Sequence, residues 1–226
     1  MTQGSENLFE TRVVFHIGPV PVSQDVVTTW GIILVLGVGC FLTTRNLSLR
    51  QGRWRSLVEA IVVAMRNQIQ DVIKRDATPF LPLLGTLFVF IAAANLSVLV
   101  PGVKPPTARV ETPAALAAIV FLSAHYFGIR ARGVWQHLRS YARPNVLLLP
   151  LNVLSEFTRT FSLVVRLFGN IMSHEIIVGI VVALAGLFVP IPFMALGILI
   201  GLIQAYIFAV LATVFVGAAI GAVEQA

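Results

Sequence analysis

The 226-residue chain is 57% hydrophobic and only 12% charged, about half the charged share of an ordinary soluble domain, which excludes a soluble globule and indicates an all-α polytopic membrane protein. Its formal charge of +6 and pI near 10.4 would suit a nucleic-acid partner, but the basic residues are gathered where membrane topology places them, so nucleic-acid binding is set aside. The single cysteine, Cys40, lies in an apolar run and rules out an internal disulfide or a thiolate metal site.

Residues 1–25 mix polar and apolar types, with Gly18-Pro19 and Pro21 expected to break any regular element, and read as a non-cytoplasmic arm on the first helix. Glu6 and Glu10 near the start argue against a signal peptide. Residues 26–44 are apolar, with Trp30 near one interface, and predict the first span.

Seven of the sixteen basic residues fall between Arg45 and Arg75, marking residues 45–78 as a cytoplasmic segment. Within it Trp54, Leu57, Val58, Ile61, Val62, Met65, Ile69 and Val72 recur at helical spacing. They predict an amphipathic helix that is either a surface for a partner or a simple connector.

Residues 79–129 hold the second and third spans around an outer loop, 101–112, that carries Pro101-Gly102 and Pro105-Pro106. Asn95, at the end of the second span, is either a functional amide or one that ties helices together. The third span is rich in alanine and contains Ser123 and His125, the latter a candidate proton relay or a plain helix-end residue. Arg130, Arg132, Arg139 and Arg143 then define a second basic cytoplasmic loop, 130–144, bringing eleven of the sixteen basic residues to one side.

The last segment, 145–222, begins with about 43 predominantly apolar residues, which as one helix would reach about 64 Å, twice the hydrocarbon thickness. It must break into two spans or tilt strongly. A stripe of Asn152, Glu156, Arg159, Ser162, Arg166, Asn170 and His174 along its middle favours the tilted helix, with Glu156 and Arg159 spaced as an i,i+3 pair. Arg166 poses the physical problem, since its guanidinium stays charged and an arginine at the centre of a membrane helix costs roughly 2.5–3.5 kcal/mol. At about 100° per residue, Arg159, Ser162, Asn170, Ser173 and His174 lie within about 80° of it, whereas Glu175 points about 180° away. Pro190 and Pro192 are expected to make a turn, after which Phe193 to Gly221 forms the last apolar helix. On that helix Gly197, Gly201 and Gln204 share a face, leaving room for a neighbouring helix beside a single amide and making Arg166 an obvious partner for Gln204.

With Ser162-Leu-Val-Val-Arg166-Leu-Phe-Gly-Asn170 in one helix, Gln204-Ala-Tyr-Ile-Phe208 in the next, and Asn95-Leu96 leading to Pro101-Gly102, the sequence resembles the subunit a family of F-type rotary ATP synthases. The likeness runs from about Val26 to Gly221. It implies a stator subunit with two ion half-channels. Arg166 would be the essential arginine facing the rotor carboxylates, Asn170 its polar neighbour, Glu175 a half-channel acid and Gln204 the glutamine across the helix pair. Asn95, Asn152, Glu156, Ser162 and Ser173 are candidate access-channel residues. Implied partners are the rotor ring of c subunits, the peripheral-stalk b subunits, the rest of the synthase and membrane lipid, in a bacterial inner membrane with the N-terminus outside and the C-terminus cytoplasmic.

Four positions depart from the family's usual pattern. His174 stands where a small residue is usual and Gly197 where a histidine is frequent, so the two look exchanged, with the imidazole of His174 kept in the same inter-helix space. Asn152 stands where many relatives have glutamate. Thr160 stands where many have proline.

No phosphate loop, metal cluster or activated nucleophile is present in the sequence, so no cofactor or metal is expected and any nucleotide chemistry belongs to partners. A proton or a sodium ion would be the cargo. Two other classes compete: a secondary carrier with Arg166 binding an anionic substrate, against which no duplicated halves are found, and a membrane anchor, which leaves the polar stripe without a purpose.

Overall fold

Long apolar runs with few charges can satisfy their backbone in lipid only as helices, and helices make up most of the described residues. The computed structural model describes residues 13–17, 20–45, 53–74, 76–99, 105–136, 149–186 and 189–221. Six helices are α1 (Gln24–Arg45), α2 (Arg53–Ile73), α3 (Leu81–Leu96), α4 (Glu111–Arg132), α5 (Leu149–Ala185) and α6 (Pro190–Ala219), with short 3-10 turns at Ser97–Leu99 and Pro106–Ala108. Four of them, α3 to α6, are long and apolar enough to cross a membrane, and α1 adds the shorter apolar stretch Val26–Leu42. The molecule is therefore a polytopic membrane protein of about five spanning helices. Arg50, Arg75, Pro101-Gly102, Lys104, Arg139 and Arg143 lie outside the described residues.

The arm before α1 differs from expectation. Val13–Ile17 (β1) and Val20–Ser23 (β2) pair antiparallel, with Phe15 opposite Val22 and His16 opposite Pro21. The run Val-Val-Phe-His-Ile is rich in strand-forming side chains, and a two-stranded ribbon has only edges, where proline's missing N–H costs no central ladder bond. Pro21 thus permits the pairing.

The long segment resolves as one unbroken helix. At 1.5 Å per residue the 37 residues of α5 reach about 56 Å, so the helix must lie tilted against a hydrocarbon layer of about 30 Å. It stops at Gly186, whose φ of +76° suits the left-handed residue after a helix end, its N–H donating to Val182 O at 3.2 Å. Pro190 and Pro192 sit inside the first turn of α6 and not in a turn before it. There the amides have no helical acceptor to lose.

Helix α6 is the centre of the packing, touching α2, α3, α4 and α5. Its buried face is built largely from Gly197, Gly201, Ala205, Ala209, Ala212 and Gly217, small residues that let four neighbours approach closely, with Phe208 as a large buried ring among them. Against it lie Leu84, Leu87 and Ile91 of α3, Leu116 and Val120 of α4, Leu163, Leu167 and Ile171 of α5, and Ile69 and Ile73 of α2. Tyr206 Oη donates to Gln68 Oε1 at 2.8 Å and ties α6 to α2. The first half of α2 leaves Val58, Ile61, Val62 and Val63 exposed. The last turn of α6 has no basic residue of its own. The guanidinium of Arg132 from α4 packs against Gly221 instead, placing a cation at the negative end of the helix dipole.

Candidate functional site

Helix α5 presents its leucines inward and its stripe of polar groups partly outward. Leu163, Leu167 and Ile171 follow i, i+4, i+8 spacing and are buried, which fixes the rotation of the helix. Arg166 is then turned out: it is exposed, close to the midpoint of α5, and forms no hydrogen bond or ion pair among the described residues. Arg159, Ser162, Asn170 and Ser173 are exposed on the same side, while the exposed Leu154, Phe157, Phe161 and Val165 lie about 100–180° further round the helix.

The inner edge of the stripe is knitted to the rest of the subunit at three levels. Nearest the start of α5, Glu156 Oε1 lies 3.6 Å from His125 Nε2 of α4. At the middle, Asn170 Nδ2 donates to Gln204 Oε1 of α6 at 2.7 Å, with the glutamine only 2% exposed. Further along, the imidazole of His174 fills the space beside Gly197 of α6, where an added Cβ would overlap the ring. His174 Nε2 is buried and has no hydrogen-bond partner in the structure.

These contacts redistribute the partners expected from spacing. Gln204 is bonded to Asn170, and Arg166 has no partner among the described residues. Glu156 faces α4, and no Glu156–Arg159 ion pair forms among the described residues; the side chains at i and i+3 diverge because the first is drawn to the helix interface. Glu175 is partly buried, on the opposite side of α5 from Arg166, and makes no ion pair among the described residues. Asn152 is partly buried one turn before Glu156.

A second polar cluster lies between α3, α6 and the outer loop. Asn95, 4% exposed, donates from Nδ2 to Gly201 O at 2.8 Å and accepts from Thr107 Oγ1 at 2.8 Å. Gly201 permits this approach, since a Cβ there would come within 3.0 Å of Asn95 Cβ. Thr107 and His125 are the residues whose partners the sequence did not disclose. A hydroxyl directly after Pro105-Pro106 was the one available signal for the first, and a histidine inside an apolar helix for the second. Among the described residues no group of His, Cys, Asp and Glu is arranged to hold a metal ion.

The ATP synthase A chain family matches residues 26–217. ATP synthase subunit a 2 of Bradyrhizobium sp. is 61% identical over 215 residues, covering 95% of this chain and 96% of that protein. ATP synthase subunit a of Albidiferax ferrireducens is 46% identical over 209 residues, 92% of this chain and 90% of that one. ATP synthase subunit a 2 of Pelobacter propionicus is 45% identical over 214 residues, 95% and 94%. With relatives of this similarity matching along nearly their whole length, and with a helix pair built around Arg166, Asn170 and Gln204, the chain belongs to the ATP synthase A chain family.

Proposed function

We propose that the protein is the ion-translocating stator subunit in the membrane sector of a rotary ATP synthase, with Arg166 set against the carboxylates of a turning ring of c subunits. The observation that carries this reading is an exposed, unpaired arginine at the middle of a membrane helix. Facing lipid, it would cost roughly 2.5–3.5 kcal/mol; facing a rotor carboxylate, it lowers that group's pKa and drives off the bound ion.

The fixed charge also prevents a leak. Two offset half-channels reach the ring from opposite sides of the membrane, and a cation passing straight between them meets the charge of Arg166. Transit therefore goes around the ring, each elementary charge moved through 100 mV supplying about 2.3 kcal/mol. The Asn170–Gln204 bond holds α5 and α6 in register behind the arginine. His174, Glu175 and Asn95 border one half-channel, and Asn152, Glu156, Ser162 and Ser173 are polar positions along the ion's course. A buried Nε2 on His174 with no hydrogen-bond partner among the described residues supports ion or water access there, because an unsatisfied buried polar group costs about 1–3 kcal/mol.

In this reading the chain performs no covalent chemistry, and nucleotide turnover belongs to other subunits. It sits in a bacterial inner membrane with the basic ends of α1, α2 and α4 on the cytoplasmic side and β1–β2 outside. The exposed apolar half of α2 is placed to meet lipid or the peripheral-stalk b subunits. Cysteine cross-linking tests the geometry: Ser162→Cys in the assembled complex should link to cysteines placed near the carboxylate of the c subunit. Absence of any such product, together with substrate uptake by the purified chain alone, would instead favour a carrier that binds an anion at Arg166.

A further inference from the structure

The pair between α4 and α5 has a proton count that its geometry dictates. His125 Nδ1 lies 2.8 Å from Phe121 O, and a carbonyl can only accept, so Nδ1 carries a hydrogen. The ring is also packed on Phe121, with centroids 4.3 Å apart. A neutral imidazole held this way turns the Nε2 lone pair toward Glu156 Oε1, 3.6 Å away. A lone pair and a carboxylate repel, and the arrangement becomes attractive when one further proton sits on Nε2 or on Oε1. Both side chains remain partly uncovered by the rest of the chain, at 29% and 28% exposed.

Its position is equally specific. His125 lies seven residues before the end of α4 at Arg132, and Glu156 seven residues after the start of α5 at Leu149, so the pair is about 10 Å inside the basic end of the helix pair. Arg166 is ten residues beyond Glu156, about 15 Å along α5. Within about a turn on the two helices, Arg130 of α4 is tied to Tyr126 Oη at 3.1 Å and Arg159 of α5 is exposed. Helix α6 brings no ionisable side chain except Tyr206, which is bonded to Gln68.

We propose that His125 and Glu156 form a proton-exchange station on the access route entering at the basic end of α4 and α5, so that the ion served on this side is a proton. This deepens the stator reading and rests on it. On loading, an O–H bond of hydronium breaks and an Nε2–H bond forms, leaving water and an imidazolium–carboxylate pair. On transfer, the Nε2–H bond breaks and an O–H bond forms on Glu156, giving neutral imidazole and a carboxylic acid, which yields its proton to the next acceptor toward Arg166, ultimately the rotor carboxylate. Release to this side of the membrane reverses these steps.

The test uses the whole ATP synthase in membrane vesicles, with proton conduction through the membrane sector measured from pH 6 to 9. His125→Gln should lower the rate about tenfold and flatten its pH profile, and millimolar imidazole should restore part of it, which a packing defect would not allow. Glu156→Gln, close in shape to the native residue, should flatten the profile in the same way, and it decides the matter if His125→Gln does not assemble. Unchanged rates and profiles in both variants would overturn the station while leaving the stator reading intact, provided that Arg166→Ala still abolishes coupled synthesis. Coupled synthesis by Arg166→Ala would instead remove the reading on which the station rests.

Discussion

His174 of α5 and Gly197 of α6 occupy a single side-chain volume between two helices: the imidazole fills what a side chain at 197 would need. The close approach of α5 to α6 at this level depends on one position being large and the other empty. Gly197→Leu should therefore destabilise the subunit by about 1–3 kcal/mol through overpacking, seen as a lower thermal midpoint and less assembled complex. Moving the bulk across the interface, with Gly197→His and His174→Gly together, should recover most of the loss. A double variant no better than Gly197→Leu would show that the two residues do not share the space.

Asn95 bridges three elements through two bonds, so its loss strands both partners. Asn95→Ala leaves the Thr107 hydroxyl and the Gly201 carbonyl without their partner, at a cost of about 2–3 kcal/mol. Thr107→Val removes one bond only and should cost about 1 kcal/mol. Unfolding of the detergent-solubilised subunit measures both, and equal effects would contradict the bridging geometry.

The two faces of α5 predict opposite outcomes for like substitutions. Leu167 is fully buried, and Leu167→Ala should cost about 2 kcal/mol, the low end of the range for core truncation, because lipid tails are as apolar as leucine and mainly packing is lost. Phe157 is 67% exposed, and Phe157→Ala should leave the stability of the isolated subunit within about 0.5 kcal/mol.

Outside the spans, Asp76 precedes α3 in a tight turn, accepting from Thr78 N at 3.1 Å and from Thr78 Oγ1 at 2.7 Å. These two bonds hold its carboxyl below the usual carboxylate range, the side-chain bond contributing most. A depressed folded-state pKa stabilises the fold above the unfolded-state value, and that contribution is lost as pH falls through the folded-state value. Thr78→Val should lower stability at neutral pH, with the difference from the parent vanishing under acid conditions. A difference that persists there would assign it to packing.

Much of this architecture was legible in the sequence because lipid leaves so few options. About five apolar helices follow from length and composition, and the polar stripe through Arg166 from angular spacing. What spacing cannot supply is the rotation of the neighbouring helix. It put Glu156 near Arg159 and Gln204 near Arg166, but buried Leu163, Leu167 and Ile171 turn α5 so that Glu156 meets His125 and Asn170 meets Gln204. The hairpin before α1 was hidden for another reason: Gly18, Pro19 and Pro21 read as breakers, whereas they lie between and within two paired strands. The one-piece helix α5 was one of two options left open, since no residue in its middle forces a break.

The central claim concerns Arg166, turned away from its own subunit and facing a partner's carboxylate. Its most direct test is ATP synthesis driven by an imposed ion gradient in vesicles carrying the complex with Arg166→Ala. The account predicts that the complex assembles, retains its c ring and makes no ATP from the gradient. Synthesis at the normal rate by that variant would contradict it.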